Sequence, residues 1–379
     1  MLRTGPRAWA GLLLAGALVA PAAHAACAWP AWERFARESI SEDGRVIDRG
    51  SERQITTSEG QSYGLFFALV ANDRARFERL LRWTENNLAR GDFTTALPAW
   101  LWGRRDDGGW GVLDANPASD ADLWIAWTLG EAGRLWKQRH YSVLGTLLGN
   151  RILAEETAEL PGLGRSLLPA PVGFVKPEGW RLNPSYVPLQ LLRGLQAQSP
   201  ESGWERLVEP SRRLIVESAP KGYAPEWVLW TKQGAFAADP ETKGEGSYNA
   251  IRVYLWAGTL APEEPLRAPL LQALRPMADR TAAEGAPPER VDTASGAAPN
   301  AGPYGFSAAL LPLLESSGLP QAAAAQSARA AALAAKETGP AYYSEVLSLF
   351  GRGWQERRYR FDRDGRLLPD WSRACAATG

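Results

Sequence analysis

A single carboxylate, Glu59, lies between small hydroxyl residues and glycine in the segment TTSEGQSYG, residues 56–64. Thr56 with Glu59, and Ser58 with Gln61, both fit the S/T-x-x-E/Q pattern of a helix capping box. A capping glutamate is usually solvated, whereas the glycines around this one indicate close approach by another group. Glu59 is therefore either a helix cap or an acid that does chemistry, and this segment alone leaves both interpretations open.

Two more carboxylates precede an apolar helical pattern in ASDADLWIAW, residues 118–127. Ser119 and Asp120 can cap this helix, and Asp120 with Asp122 also suits a metal or a pair of sugar hydroxyls, although a lone D-x-D is common by chance. A third segment, GSYNAIRVYLW, residues 246–256, again places polar side chains at a predicted helix start.

Histidine scarcity excludes several mechanisms. The chain has two histidines, His24 near its start and His140 among polar residues typical of a surface. We therefore expect neither a histidine-based zinc site nor a Ser-His-Asp triad, and acid–base chemistry falls to carboxylates without a metal or cofactor. The 42 basic and 42 acidic residues balance, so the chain has no electrostatic footprint for nucleic acid or an anionic membrane.

Tryptophan indicates the class of substrate, because the chain has 17 of these residues and they occur in clusters. Flat aromatic faces suit sugar rings, although core packing accounts for pairs at helical spacing such as Trp124 and Trp127. Trp100, Trp102 and Trp180 lie in segments rich in glycine and proline, and they are the better candidates for sugar platforms.

The elements that must position these residues are mostly helical. A 3.6-residue apolar period predicts about twelve helices, near residues 31–41, 58–71, 73–89, 119–136, 140–157, 185–198, 203–218, 246–258, 264–281, 306–316, 320–336 and 340–351. The one confident β element is a hairpin at residues 357–371 around an Asp364-Gly365 turn. The absence of a fixed repeat favours a closed ring of helical hairpins over a solenoid.

The first 25 residues read as a secretory signal peptide, because two arginines precede a short apolar run that ends in a small-residue cleavage site. We therefore expect a periplasmic or secreted protein without a membrane span, whose residues 26–379 form one large domain. Cys27 and Cys375 stand at opposite ends of that domain. In an oxidising compartment they form either a disulfide or two free thiols.

Taken together, these segments resemble glycoside hydrolase family 8, and within it the periplasmic endoglucanases encoded alongside bacterial cellulose synthases. The resemblance extends over nearly the whole mature chain, through CAWPAWERF, DGRVID, TTSEGQSYG, LPAWLWG, ASDADLWIAW, LNPSYVP, APKGYAPEW, GSYNAIRVYLW, GPYGFSAALLP and LLPDW. It implies an all-α fold, an (α/α)6 barrel with an open cleft, that hydrolyses internal β-1,4-glucan bonds with inversion.

The resemblance also implies roles for single residues. Glu59 matches the general acid, Asp120 matches the aspartate that binds the sugar at the cleavage point, and Asp122 supports it structurally. An inverting enzyme also needs a carboxylate base that holds water on the opposite face of the sugar. The expected substrate-binding residues are Trp100, Trp102, Trp180, Tyr186 and Arg252.

The base is where this sequence departs from the family. The cellulose-linked members have aspartate in SYDAIRVY, where this chain has Asn249, and an amide cannot accept the proton of water. Three explanations compete: an engineered replacement, a natural loss of activity, or a base supplied elsewhere. Natural divergence is favoured, and Asp120 and Glu245 are the candidate substitutes. Smaller departures are Glu226, where those members have aspartate, and Thr128, where the family usually has serine or alanine.

Two functions follow from this reading. The first is an inverting endo-β-1,4-glucanase that trims glucan as it is made and exported, with cello-oligosaccharides and cellulose as binding partners and a cellulose synthase complex as a further one. The second is a cellulose-binding accessory protein that keeps the cleft but turns over slowly or not at all. Glu59 with Asp120 favours the first function, and Asn249 favours the second.

Overall fold

The chain is mostly helical. This computed structural model describes residues 28–372 together with Met1 and Gly5. That part of the chain contains fourteen α-helices: α1 Pro30–Ser39, α2 Ser58–Val70, α3 Arg74–Leu88, α4 Ser119–Trp136, α5 Arg139–Glu155, α6 Leu189–Gln198, α7 Val208–Glu217, α8 Ile251–Thr259, α9 Arg267–Ala273, α10 Arg275–Glu284, α11 Tyr304–Ala309, α12 Leu311–Ser316, α13 Pro320–Ala334 and α14 Tyr342–Gln355. Short 3₁₀ helices lie at Pro184–Tyr186, Trp204–Leu207 and Asp370–Ser372.

Each predicted helix overlaps an observed one, but the helices predicted from 185, 203 and 246 begin at Leu189, Val208 and Ile251, and prolines divide two others. Pro276 lies in the first turn of α10 and Pro312 in the first turn of α12. Proline has no backbone N–H and collides with the preceding turn, so each predicted helix becomes two shorter ones. The alanine-rich segment forms α13, where only three residues are buried, as expected for an outer helix.

Some helices are buried nearly all round. All residues of α2 except Glu59 are buried, as are all of α8 and α11 and all but Arg134 and Leu135 of α4. Helices α2, α4, α6, α8 and α12 pack against one another in that order, and α11 packs against α14. Amphipathic helices such as α3 and α5 cover them from outside, each burying one face.

Five small sheets lie between the helices, so the prediction of a single β element is wrong. The strands are β1 Thr56–Thr57, β2 Leu101–Arg104, β3 Trp110–Asp114, β4 Thr157–Leu160, β5 Gly164–Leu167, β6 Val175–Lys176, β7 Gly179–Leu182, β8 Val228–Thr231, β9 Phe236–Ala238, β10 Glu245–Gly246, β11 Val291–Asp292, β12 Tyr359–Phe361 and β13 Leu367–Pro369. All pair antiparallel, in the orders β1-β2-β3, β4-β5, β6-β7-β8-β9, β10-β11 and β12-β13. Most strands have two to four residues, too few for a visible alternation of apolar and polar side chains.

The predicted C-terminal hairpin is confirmed as β12 and β13, and it docks on the buried helices. Gly365 in its turn has a φ of +72°, and a Cβ there would lie 1.9 Å from the carbonyl oxygen of Gln190. The Trp127 indole donates to the Gly365 carbonyl at 2.9 Å, and the Leu367 N–H donates to buried Glu131 at 2.7 Å. Glycine is therefore required in the turn both by its conformation and by this close contact.

The predicted signal peptide and the two cysteines, Cys27 and Cys375, lie outside the described residues. Within the described part of the chain, no helix combines the length and the apolar character needed to cross a membrane.

Candidate active site

The side chains selected from the sequence meet where several buried helices begin. Glu59 is the second residue of α2, Asp120 the second of α4 and Arg252 the second of α8. Tyr186 ends the 3₁₀ turn that precedes α6, and Tyr342 is the first residue of α14. The N-terminal end of a helix carries a partial positive charge, so this arrangement favours anionic groups at the junction.

Arg252 joins the polar groups of this junction. Its side chain is 3 % exposed and forms an ion pair with Glu59 through Nη1. Nη2 donates to Ser185 Oγ at 3.0 Å and to Asn249 Oδ1 at 2.9 Å, and it lies 3.8 Å from Asp120 Oδ2. Glu59, Asp120 and Asn249 therefore surround one guanidinium group, and we call these three residues with Arg252 the Arg252 cluster.

The helix start that carries Glu59 is capped by another residue, so both predicted capping boxes are wrong. The N-cap is Thr57, whose hydroxyl accepts from the Gly60 N–H at 3.0 Å. Gln61 is buried and donates to Thr84 Oγ1 at 2.8 Å instead of capping the helix. Glu59 is thus left without a capping role, and its side chain is 26 % exposed on an otherwise buried helix.

The predicted close approach near Glu59 is present. A Cβ at Gly60 would lie 2.4 Å from the Tyr342 hydroxyl, so only glycine lets α14 pack against this turn. Tyr342 and Tyr63 are buried beside the cluster, and burial, followed by the negative charge of Glu59, raises the pKa of both phenols. No sequence pattern marks Tyr342 as a site residue, because it stands at an ordinary helix start.

Asp120 is buried with one oxygen unsatisfied. It is 2 % exposed, and its Oδ1 accepts from the Ala121 N–H at 2.9 Å. Its Oδ2 receives no hydrogen bond from a donor in residues 28–372. Burial and then the negative charge of Glu59 raise the pKa of Asp120 to about 7, although Arg252 opposes them. A carboxyl that titrates near neutral pH can exchange a proton during a reaction.

Asn249 is held in one orientation by two charged neighbours. Its Nδ2 donates to Glu226 Oε2 at 2.6 Å, while its Oδ1 accepts from Arg252. Glu226 Oε1 accepts backbone N–H groups of Ser247, Asn249 and Ala250 at 2.7, 2.8 and 3.0 Å, just before α8. Glu226 therefore anchors this helix start and accepts the hydrogen bond of the Asn249 amine. As a result, the amide oxygen of Asn249 points toward Arg252.

Glu245, the other candidate base, lies apart from these contacts. Its side chain is 40 % exposed and forms an ion pair with Arg290 at 3.0 Å. It has no hydrogen bond or ion pair with the Arg252 cluster within residues 28–372. Of the two suggested substitutes, Asp120 is the one that lies beside Glu59 and Asn249.

Two aromatic residues lie on the β1-β2-β3 sheet, whose strand β1 directly precedes the helix that carries Glu59. Trp102 pairs with Thr56 across β1 and β2, and the Trp100 carbonyl accepts from the Ser58 N–H at 2.9 Å. Trp102 stacks on Trp110 with ring centroids 5.4 Å apart, and Trp110 is 45 % exposed. The Asp-Gly turn between β2 and β3 is a hairpin signal that would have placed Trp110 beside Trp102.

A second aromatic group lies beside Arg252. The Tyr186 ring centroid is 5.9 Å from the Arg252 guanidinium and 5.8 Å from the Trp227 ring. Trp227 stacks in turn on Phe174, with centroids 5.6 Å apart. Phe174 comes from a strand-rich segment whose pairing with β8 spans about fifty residues, so sequence spacing gave no sign of this contact.

Trp180 is oriented by its strand pairing. It lies directly opposite Trp230 in the β7–β8 pair, and directly paired residues share one face of a sheet. Trp230 is 1 % exposed, and Trp180 packs, half-buried, against the same hydrophobic core. Trp227 is the tryptophan that lies beside Tyr186, and the Arg181 guanidinium lies over its ring, 4.4 Å from the centroid.

Comparison with known proteins agrees with this arrangement. The family model "Glycosyl hydrolases family 8" matches residues 6–357. An endoglucanase of Xanthomonas axonopodis pv. citri is 50% identical over 375 residues, 97% of this chain and 96% of that protein. An endoglucanase of Escherichia coli O157:H7 is 48% identical over 367 residues, 97% of this chain and 98% of that protein.

A solved structure extends the similarity to the fold. The endo-1,4-D-glucanase of Vibrio fischeri ES114 superposes with a TM-score of 0.88 at 47% identity, over 91% of this chain and 100% of that one. The family match covers most of the chain, and the helices that carry Glu59, Asp120 and Arg252 all lie within it. The resemblance read from the sequence is confirmed: the chain belongs to glycosyl hydrolase family 8 and is a glycoside hydrolase.

Proposed function

We propose that this protein is an inverting endo-β-1,4-glucanase that cleaves internal bonds of cellulose-type chains. The observation that carries the proposal is the meeting of Glu59 and Asp120 at the Arg252 guanidinium, with the Tyr186 ring beside that guanidinium. Relatives of nearly the same length that are named endoglucanases support the choice of substrate. Reducing-end release from carboxymethylcellulose, with the anomer of the first product followed by NMR, tests both parts of the proposal.

Glu59 is the proton donor in this proposal. It is the partly exposed residue of an otherwise buried helix start, so it can reach the glycosidic oxygen of a bound glucan. Once Glu59 has given up its proton, the Arg252 guanidinium stabilises the resulting carboxylate through the ion pair. Arg252 also keeps Asn249 close to Glu59, because both side chains contact the same planar group.

Asp120 is the proton acceptor in this proposal. The Asn249 oxygen orients a water by accepting a hydrogen bond from it, but an amide cannot take up the proton. Asp120 Oδ2 lacks a hydrogen-bond donor among the described residues and lies on the same guanidinium, so it is the carboxylate within reach of that water. Its pKa of about 7 matches a base that works near neutral pH.

The proposed base predicts a pH dependence. Because Asp120 must be ionised to accept a proton, kcat should rise as the pH increases toward about 7; the protonated Glu59 of the productive state no longer raises the Asp120 pKa, so the midpoint of this rise lies below that value. Initial rates on carboxymethylcellulose across this range measure the effect, and Asp120→Asn should lower kcat by about 10²–10⁴-fold. Asp106→Asn changes an aspartate that is 89% exposed and is the control. A rate that stays flat as the pH rises to about 7 would contradict the assignment of Asp120.

A second function, a cellulose-binding accessory protein with little turnover, is favoured by Asn249 alone. Its amide lacks the basicity of the aspartate found there in the cellulose-linked members of the family. Binding of cello-oligosaccharides together with no reducing-end release above a blank would support this function. Release that depends on Glu59 would support the glucanase.

We also propose that the helices form an (α/α)6 barrel. Support comes from the packing order of α2, α4, α6, α8, α11–α12 and α14, and from Phe350 of α14, which stacks on Phe66 of α2 at 5.3 Å. An inner ring built this way, with α1, α3, α5, α7, α9–α10 and α13 outside, brings the starts of the inner helices to one end. That end would be the floor of an open glucan cleft.

The exposed tryptophan of the β1-β2-β3 sheet supplies a binding prediction. Trp110→Ala should weaken cello-oligosaccharide binding by roughly tenfold, because it removes a stacking surface worth on the order of 1 kcal/mol. The change should not affect folding, since the ring is 45 % exposed. Val143→Ala, at 46 % exposure on the outer helix α5, is a matched control for loss of an exposed apolar side chain. Calorimetric titration with a soluble cello-oligosaccharide measures both variants, and equal affinities would remove Trp110 from the cleft.

Export is part of the proposal. The arginines, apolar run and small-residue cleavage site of the first 25 residues support a periplasmic or secreted protein. A mature chain of residues 26–379 that trims glucan beside a cellulose synthase complex fits this location. Expression with and without the first 25 residues, followed by fractionation, tests the export signal.

The two cysteines predict a disulfide in the exported protein. Cys27 and Cys375 are the two cysteines of the chain, and an oxidising compartment favours their pairing. Alkylation of the non-reduced mature protein followed by mass spectrometry should find no labelled thiol, and reduction should expose two. Labelling of both cysteines before reduction would contradict the disulfide.

A further inference from the structure

Two buried carboxyl groups behind the Arg252 cluster have no part in the proposed reaction. Asp122, in the first turn of α4, and Glu156, directly after α5, are each 0 % exposed. No donor in residues 28–372 hydrogen-bonds to any of their four carboxyl oxygens. The two carboxyl groups nevertheless lie within hydrogen-bonding distance of each other. Two ionised carboxylates would both be desolvated here and would repel each other, so this contact requires a proton.

We propose that Asp122 and Glu156 share one buried proton, and that this acid–carboxylate pair fixes the first turn of α4 and so positions Asp120. One proton converts the contact into a hydrogen bond from a carboxylic acid to a carboxylate, which is a strong, charge-assisted bond. The bond joins the start of α4 to the end of α5, the helix that packs along α4. Asp120 lies two residues before Asp122 on this turn, so its side chain moves with the pair.

The charges around the pair oppose a second ionisation. They come from Asp120 on α4 and from Glu155 at the end of α5, and both are acidic. Burial, followed by the neighbouring carboxylates, raises the pKa of both members well above the ordinary carboxyl range. The pKa of Asp120 is in turn raised by Glu59 and lowered by Arg252. The pair therefore keeps its shared proton at neutral pH.

The shared proton predicts a dependence of stability on pH. The folded-state pKa of the pair is raised above the unfolded value, so its contribution to stability is fully present below the unfolded pKa. That contribution is lost as the pH rises through the folded-state pKa. Between these limits the folded state holds one extra proton, and the unfolding equilibrium constant should rise about tenfold per pH unit from this source.

Denaturant unfolding across about pH 5 to 9 tests this expectation. In Asp122→Asn the new amide donates to Glu156, and in Glu156→Gln it donates to Asp122, so neither variant needs the proton. Both should lose the tenfold-per-unit component that the wild type shows, whereas Glu155→Gln, an exposed neighbour, should keep it. Variants that keep the wild-type slope would overturn the proposal.

A second measurement covers the case in which a variant fails to fold. Infrared spectroscopy of the folded wild type, at an alkaline pH above the titration of Asp120, should show the carbonyl band of a protonated carboxylic acid. The band should vanish on unfolding. A folded protein without this band has no shared proton, and the proposal fails.

The effect on Asp120 rests on the proposed function and is measured through kcat. The double variant Asp122→Asn with Glu156→Gln removes the negative charge beside Asp120, so the rise of kcat with pH should move to lower pH. Each single variant keeps one charge and should leave that rise in place. An unshifted profile in the double variant, with the unfolding and infrared results as expected, contradicts Asp120 as the base but supports the shared proton.

Discussion

Glu59→Gln should lower kcat for carboxymethylcellulose by about 10²–10⁴-fold while leaving cello-oligosaccharide binding nearly unchanged. Glutamine cannot donate the proton that the leaving sugar needs, but it has the same shape and its oxygen still accepts from Arg252. Stability should fall by no more than about 2 kcal/mol, because the helix cap is Thr57 and remains intact. Initial rates, calorimetric binding and thermal unfolding of the variant measure the three quantities.

A matched control separates chemistry from the effect of losing a carboxylate at a helix start. Glu33 lies in the first turn of α1 and forms an ion pair with Arg76 at 3.0 Å, far from the Arg252 cluster. Glu33→Gln makes the same change in a similar position and should keep the wild-type kcat. If the Glu59 and Glu33 variants hydrolyse glucan at similar rates, Glu59 is not the acid.

Local sequence patterns were sufficient to predict the helices, because a helix and its buried face depend on the spacing of apolar residues within one segment. In α2 an apolar run with no polar face predicts a helix buried all round, and in α3 a single apolar stripe predicts an outer one. The small sheets were not predictable in this way. The pairing of Trp180 with Trp230, for example, depends on a contact between segments fifty residues apart, and neither strand is long enough to show its own period.

The same distinction between local patterns and long-range contacts applies to the candidate active site. Glu59, Asp120 and Arg252 could be selected because each stands at a polar-to-apolar boundary in the sequence, where a helix begins. The orientation of Asn249 could not, because it depends on Glu226, which lies 23 residues away and contacts the N–H groups ahead of α8. Glu156 could not be selected from the sequence for a related reason. Its partner Asp122 lies on a different helix, and only the packing of α4 on α5 brings the two residues together.

The contact between Asn249 and Glu226 determines how restoring an aspartate at position 249 should affect kcat. Asn249→Asp replaces the amine that now donates to Glu226 Oε2 at 2.6 Å with a second carboxylate oxygen. Two carboxylates at that distance cannot both be ionised, so the new pair would retain a proton at neutral pH. The single variant should therefore gain little activity at neutral pH, and its kcat should increase as the pH rises and the pair loses that proton.

Exchanging the amide at position 249 with the carboxylate at position 226 avoids the repulsion between two carboxylates. In the double variant Asn249→Asp with Glu226→Gln, the glutamine oxygen can still accept the N–H groups of Ser247 and Ala250, and its amine donates to the new aspartate. The exchange keeps the net charge and places an ionised base beside Arg252, so kcat at neutral pH should rise by about 10²–10⁴-fold if the base limits the rate. Glu226→Gln alone sets two amines against each other and should give no gain, which makes it the control. A full gain from Asn249→Asp alone, independent of pH, would show that Glu226 does not control this position. No gain in either aspartate variant would show that the residue at position 249 does not limit the rate.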